Sequence, residues 1–468
     1  MLDFAPFVAI RGAGLKTPEN EFKGRETMPG PSPFATPFRP LPDRRAVLTG
    51  AMASAAVIAA PYVAKAASST IKIGVISNQT GPGAAFGEAT EFALNQAKDV
   101  VKNGLQVGGK TYKIDFVFRD GQTSMNRNAA VAGELMTREG VDLLISNAGE
   151  TPAASGQLAT VNKVPLITTM LPSDAAVALR GGPEAFSNKG NPWNFNFLFD
   201  SSEIGAVYAG MWETVRHKTN EKVGTLYVDL AAARGFADPD HGFPAMLKKG
   251  GFAETAGGMF KVETDDFSNQ VSAFKAANAQ LLTGFMLEPN FATFWRQAAQ
   301  AGFKPEVVTM AACFLFPSGV NALGDRGDGM STEVWWSPKL PFKSSMTGQT
   351  ARELATAWEE QTGKQWTPVL GYAHALFEIT MTALKASADP KDKAAVRAAL
   401  MGVDTETIIG PINWRDAEIK GIAKTPLVGG QWRKAKSGKY KYDLVTVFNG
   451  SKLQLPVEGD FKLLSEIV

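Results

Sequence analysis

Short β-branched runs that alternate with stretches of helical periodicity constrain this chain more than any single motif. The first example is IKIGVISNQTGPGAAFGEATEFAL, residues 71–94. Ile71, Ile73, Val75 and Ile76 have the composition of a strand covered on both faces in a parallel sheet. Gly81, Pro82 and Gly83 break the strand. Ala89, Phe92, Ala93, Ala97, Val100 and Val101 then recur at helical spacing. In open α/β sheets ligands sit outside the carboxyl ends of the strands, where helix N-termini present unpaired N–H groups. The loop after Ser77 is therefore the first place to seek a binding site.

The alternation continues. YKIDFVFRD (112–120) reads as a strand, and VAGELMTREG, from Val131, as a helix closing at Gly140. VDLLISNAG (141–149) is a third strand, residues 153–162 a helix, and VPLITTM (164–170) a fourth strand. LRGGPEAFSNKGNPWNFNFLFDS (179–201) breaks the rhythm with Gly, Pro and Asn and reads as a crossing between domains. The pattern then restarts with IGAVYAGMWETVR, KVGTLYVDL, FPAMLKKGGF and GGMFKVE, and FSNQVSAFKAANAQ follows with Ser268 as its expected cap. LLTGFMLE, FATFWRQAAQAGF and EVVTMAACF complete a second α/β unit. Beyond Trp336, helices at 350–361, 370–386 and within DPKDKAAVRAALMGV precede short closing strands in IIGPINW, GGQWRK and KYDLVTVFN. This tail is too small for a third domain and is expected to complete the first two.

Length and charge narrow the function classes. The 468 residues are 44% hydrophobic and 20% charged, enough for two domains with their own cores. A net charge of +2 gives no basic stripe of the kind a nucleic-acid binder needs. A single cysteine, Cys313, excludes an internal disulfide and a cysteine-rich metal site. Beside Phe314 and Phe316 it reads as a small buried apolar residue. His217, His241 and His374 lack metal-ligand spacing and are expected at the surface or the cleft edge.

The N-terminus carries its own information. Residues 1–43 are rich in Pro, Gly, Phe and charge without periodicity, and are expected to be disordered or absent from the mature protein, with Met28 as an alternative start. Residues 44–66 hold the pair Arg44–Arg45, an apolar run and the small-residue site Ala64-Lys65-Ala66. This combination reads as a twin-arginine export signal cleaved after Ala66, with the mature protein in the periplasm. The apolar run falls short of the about 20 residues that a membrane span needs.

The order of elements resembles the type I periplasmic binding proteins, specifically the Leu/Ile/Val-binding group that serves ABC importers. The resemblance rests on IKIGVISNQTGPGAAFGEA, FVFRDGQTSMNRNAAVAGELMTREGVDLLISNAG, VPLITT, RQAAQAGFKP (296–305) and IIGPINW (408–414), in that order. It implies an α/β fold of two doubly wound parallel-sheet lobes joined by a three-crossover hinge. Lobe one is expected at 71–197 plus 338–415, and lobe two at 198–337 plus 416–468. It further implies a monomeric solute-binding protein, not an enzyme, whose hinge closes over a ligand. The implied partners are a small molecule and an ABC permease with its ATPase, with no cofactor, metal or nucleic acid.

Carried over residue by residue, the resemblance places Phe86 where the family has a ligand-covering aromatic, the alternative being a residue of the helix-capping core. Asn147, Ala148, Gly149 and Glu150 fall where the family holds a carboxylate with a serine and backbone N–H groups. Here Asn147 replaces the hydroxyl and Glu150 adds a negative charge. Thr169, Met170 and Leu171 follow the fourth strand as a more apolar wall than the family's. Arg234, near another aromatic position, is either a bidentate carboxylate anchor or a surface salt bridge. Glu288 could receive an ammonium group. Ala311 stands where amino-acid binders place an acid, which argues against leucine as preferred ligand. Trp336 and Tyr372 border the cleft. Successive strand residues face opposite ways, so at most one of Trp335 and Trp336 faces it. The expected ligand is a small amphipathic carboxylate, a branched-chain amino acid or an aromatic acid.

An exported cofactor enzyme and a periplasmic sensor of the same fold are the competing readings. GPGAAFG followed by Asp120 superficially matches a dinucleotide-binding loop. However, its third glycine falls one residue late, at Gly87, behind the bulky Phe86. No G-x-S-x-G nucleophile elbow or metal triad is present.

Overall fold

The computed structural model describes residues 70–467. The disordered extension and export signal expected at 1–66 lie outside the described residues. The chain lays down β1 (Thr70–Ser77), β2 (Leu105–Val107), β3 (Lys110–Asp120), β4 (Leu143–Ser146), β5 (Leu166–Thr168) and β6 (Asn194–Phe197). After a helix at Ser201–Glu213 come β7 (Lys222–Val228), β8 (Ala253–Phe260), β9 (Leu281–Met286), β10 (Val307–Ala312) and β11 (Ser331–Val334). Helices Ala351–Thr362, Val369–Ala386 and Lys393–Met401 precede a hairpin, β12 (Asp404–Thr407) with β13 (Gly410–Asn413). The closing strands are β14 (Ile422–Ala423), β15 (Val428–Lys434) and β16 (Tyr442–Asn449).

Among the described residues fourteen of these sixteen strands form two seven-stranded sheets, and β12 and β13 pair by themselves. The first runs β14-β6-β5-β4-β1-β3-β2 and the second β16-β15-β11-β10-β9-β7-β8. Their centres are parallel, with helices as the crossovers that parallel pairing requires. Antiparallel pairs occur only toward the edges, β2 on β3 in the first sheet and β15 on β11 and β16 in the second. Each sheet with its helices is one lobe, the two-lobed α/β arrangement that the resemblance implies.

Three crossings join the lobes: after β6, after β11, and between β14 and β15. The third falls later than residues 415–416, where the sequence placed it. Ile422–Ala423 still pairs with β6, and the chain reaches the second sheet at Val428.

The opening strand shows why the elements sit where they do. Ile71, Ile73, Val75 and Ile76 are fully buried, each stabilising the fold by roughly 1.5–3 kcal/mol. Gly87 closes the following loop, where a Cβ would lie 1.9 Å from the carbonyl oxygen of Asn78. Its role is therefore close packing of the loop after β1 against the backbone at the end of that strand. Ser268 lies inside the helix Ser268–Ala276, whose cap position is Phe267; Asp266 accepts from both the backbone N–H and the hydroxyl of Ser268. No helix among the described residues is long and apolar enough to cross a membrane.

Candidate functional site

The carboxyl ends of strands from both sheets enclose a cavity of about 140 Å³. The first lobe contributes Asn78 after β1, Thr123 and Met125 after β3, Gly149 and Glu150 after β4, and Met170 and Pro172 after β5. The second contributes Leu230 and Ala232 after β7, Phe285 and Leu287 at β9, Ala312 and Leu315 at β10, and Glu333 and Trp335 at β11. Gly83, Phe86, Phe199, Ile204 and Phe236 complete the wall. An apolar cavity of roughly 150 Å³ holds one benzene molecule, so this space fits one ring or one branched side chain.

The aromatic wall is itself packed. Phe86 stands edge-on to Phe316, with ring centroids 5.0 Å apart, and lies 6.0 Å from Trp335. Trp335 meets Phe199 at 5.5 Å and Tyr372 at 5.7 Å. Three lining residues, Thr123, Met170 and Ala312, hold left-handed backbone at φ 53°, 64° and 69°. Each is the residue type that avoids this region, at a cost of order 1–3 kcal/mol, and such strain concentrates at ligand sites.

The polar groups are few. Asn78 Nδ2 donates to Glu150 Oε2 at 2.8 Å, while Asn78 Oδ1 accepts from the Thr123 N–H at 3.0 Å, so one asparagine ties three loops of the first lobe together. Glu333 is 1% exposed at the second lobe's side of the cavity. Its Oε2 accepts from the Tyr208 hydroxyl and, at 2.9 Å, from that of Thr332. Burial pushes its pKa up to about 7 against the pull of these hydrogen bonds. No Lys, Arg or His is among the lining residues.

Of the residues singled out in the sequence, Phe86, Gly149, Glu150 and Met170 line the cavity. Phe86 is half-buried against both lobes, as a cover would be. Glu288 lines an adjoining space that shares Phe86, Leu287 and Ala312 with the cavity and also reaches Cys313. It accepts from the Ser318 hydroxyl at 2.9 Å, and burial, reinforced by the charge of Glu88, raises its pKa to about 7. Tyr372 sits one layer back, fully buried, stacked on Phe197 and hydrogen-bonded to Thr425 at 2.7 Å.

The other candidates are placed elsewhere. Arg234 is 68% exposed and pairs with Asp229 at 2.8 Å, the salt-bridge alternative. The helix Ala231–Phe236 turns Ala232 and Phe236, four residues apart, toward the cavity, which aims Arg234 the other way. Asn147 faces inward and donates to Thr90 at 2.7 Å; Ala148 packs in the core under β4. Thr169 donates to the Phe197 carbonyl at 2.8 Å, and Leu171 is buried against Ala175 and Phe186. Alternation along β10 buries Ala311 and turns Ala312 to the cavity.

The same rule, applied after β11, exposes Trp335 to the cavity and sends Trp336 into the hinge, where it donates to the Ile408 carbonyl at 3.1 Å. Trp336 is therefore not the cleft tryptophan. His374 also departs from expectation: it is fully buried, bonded to Ser344 at 2.7 Å, and burial drives its pKa down to about 3. Cys313 is buried as expected, which pushes its thiol pKa up.

Sequence reasoning missed Asn78, Phe199, Phe236, Phe285 and Glu333. For Glu333 a signal was present, an acid two residues before Trp335 and hence, on a strand, on the tryptophan's face.

Residues 70–439 match the model of a family described as periplasmic binding protein. The chain belongs to the periplasmic binding protein family. Its relatives include a Leu/Ile/Val-binding protein homologue of Brucella melitensis, 23% identical over 377 residues that cover 78% of this chain and 92% of the relative. A solute-binding protein of an ABC transporter from Rhodopseudomonas palustris, solved with 3,4-dihydroxybenzoic acid, superposes with a TM-score of 0.64 at 21% identity, covering 82% of this chain and 98% of that one. A branched-chain amino acid transporter substrate-binding protein from Streptococcus pneumoniae, solved with isoleucine, gives 0.63 at 18% identity, covering 80% and 99%. At these identities the two solved structures speak to the fold alone.

Proposed function

We propose that the protein is the periplasmic solute-binding component of an ABC importer. Its lobes close over a small amphipathic carboxylate, a branched-chain amino acid or an aromatic acid, which it delivers to a membrane permease and its ATPase. The observation that carries this reading is the one-ring cavity between the carboxyl ends of both sheets, walled by Phe86, Phe199, Phe236, Phe285 and Trp335. The two solved proteins of the same fold hold solutes of that size, isoleucine and 3,4-dihydroxybenzoic acid, each an apolar body with a carboxylate.

With no cationic side chain lining the cavity, the solute's carboxylate is assigned to backbone N–H groups around Gly149, at the head of the helix Thr151–Asn162. Asn78 holds the Glu150 carboxylate by one oxygen. Arg234, once a candidate anchor, is already paired with Asp229.

Thermal-shift screening of the mature protein against branched-chain amino acids, aromatic acids and dicarboxylates tests the reading, because a ligand that binds only the folded state raises its apparent stability. A rise in Tm with a member of the first two classes is expected. The absence of any shift across them overturns the proposal.

A further inference from the structure

Glu333 stands in the cavity wall at 1% exposure without a basic side chain to answer its charge. Each element packed on it brings a neutral group. The helix Ser201–Glu213 presents the Tyr208 hydroxyl, and β11 with its extension presents the Thr332 hydroxyl and the Trp335 indole. The buried Cys313 thiol follows β10. The charged groups nearby are acids. Glu150 faces the same cavity from the first lobe, and Glu288 lines the adjoining space. No Lys, Arg or His lines the cavity.

The two carboxyls of the cavity differ in how they bear a negative charge. Glu150 is half-buried and accepts from Asn78 Nδ2 at 2.8 Å, so water and a side-chain amide share its charge. Glu333 has hydroxyl and indole donors and almost no water. Burial outweighs those donors and pushes its pKa up to about 7. Its partners serve either form. The Tyr208 and Thr332 hydroxyls donate to the carboxylate, and each can turn to accept from the protonated carboxyl.

An anionic solute changes the balance. It brings a second negative charge into an enclosed space of about 140 Å³. The backbone N–H groups assigned to it around Gly149 answer the solute's charge and leave that of Glu333 unanswered. Like charges confined in a poorly hydrated site drive one of them to its neutral form.

We propose that Glu333 is a proton site coupled to solute capture, so that the protein takes an anionic solute together with one proton from water, held on this carboxyl. This rests on the reading of the cavity as a carboxylate-solute site. Coupling of this kind is reciprocal: the solute tightens the hold on the proton, and the proton tightens the hold on the solute by the same factor. It also sets the substrate class as a net anion, with the proton standing where a zwitterion would bring its own ammonium.

Titration calorimetry of the protein with benzoate, phenylacetate, 4-methyl-2-oxopentanoate and leucine tests the proposal. Measured at about pH 6 and about pH 8.5, in buffers of different ionisation enthalpy, it reads both affinity and the protons exchanged. For an acid that binds, affinity should fall at least about fivefold from the lower pH to the higher. Proton uptake should rise toward one per solute at the higher pH. Glu333→Gln keeps the shape of the neutral carboxyl, so it should bind the acid equally at both pH values and take up no proton. Tyr208→Phe removes a donor that favours the ionised form, so the fall in affinity should move to higher pH; this variant assigns the proton if the first fails to fold. A change below about twofold in the wild type overturns the proton site. So does a fall that persists in Glu333→Gln or keeps its position in Tyr208→Phe. Binding of leucine alone overturns it as well, because a zwitterion brings no net charge, while leaving the carboxylate-solute reading intact. Binding of none of the four overturns both.

Discussion

Phe86 of the first lobe and Phe316 of the second meet edge to face across the mouth of the cavity, their ring centroids 5.0 Å apart. This contact bridges the lobes beside the cavity that Phe86 lines, and on the proposed function Phe86 links solute capture to lobe contact. Phe86→Ala removes the cover and the ring contact, which contributes about 0.5–1.5 kcal/mol beyond its buried area. Solute affinity should fall at least tenfold, with only a small loss of Tm, since the ring is half-buried. Calorimetry and thermal melting of the variant check both.

Trp335 and Trp336 are neighbours in sequence with opposite environments, one in the cavity wall and one donating to the Ile408 carbonyl inside the hinge. Trp335→Phe should therefore abolish most of the ligand-dependent change in tryptophan fluorescence at little cost in stability. Trp336→Phe should keep that change and lower the unfolding free energy, by roughly 1–3 kcal/mol, through lost packing and an orphaned carbonyl. The reverse pattern would reassign the cleft tryptophan.

Arg234 is expected to be silent. Its guanidinium is mostly in solvent and bound to Asp229, and exposed pairs of this kind contribute about 0–1 kcal/mol. Arg234→Ala should change solute affinity by less than about twofold. A tenfold loss would restore the arginine as a carboxylate anchor.

Glu378 makes stability depend on pH. It is buried on the helix Val369–Ala386 and accepts from the Ser345 N–H at 2.5 Å and the Ile408 N–H at 3.0 Å, yet burial pushes its pKa up from 4.5 to about 7. A carboxyl that holds its proton more tightly when folded stabilises the fold below pH 4.5, and this contribution is lost as pH rises to about 7. Relative to Glu378→Gln, the wild type should lose up to about 1.4 kcal/mol per pH unit across that window. His374 titrates alike in both proteins and cancels. Denaturant melts at several pH values check this, and a pH-independent difference would contradict it.

Much of the frame was legible from local pattern. The buried run of Ile71, Ile73, Val75 and Ile76 announced β1, and the same composition marked β4, β5, β9 and β10. What the sequence hid depended on distant partners. Residues 194–197, NFNF, read as part of a polar crossing, but they form β6 because Asn196 is satisfied by Thr168 and Ser173 and its carbonyl by the Trp414 indole. His374 is buried because a serine thirty residues before it comes to meet its ring.

The site was legible only in part for a related reason. One lip, Phe86 with Gly149, Glu150 and Met170, follows strands whose ends were visible in the pattern. On the second lobe the outcome turned on phase. A six-residue helix decides that Phe236 faces in and Arg234 out, and one step along a strand decides between Ala311 and Ala312 or between Trp335 and Trp336. Errors of one residue there reverse a side chain's environment.

The central claim is that a small amphipathic solute is captured in the aromatic cavity between the two lobes. A crystal structure of the protein with the tightest-binding compound among branched-chain amino acids and aromatic acids tests it most directly. The account predicts the solute's apolar body enclosed between Phe86 and Trp335, with its acid end toward Gly149. A solute bound outside that cavity, or a cavity that stays empty at saturating concentration, would contradict it.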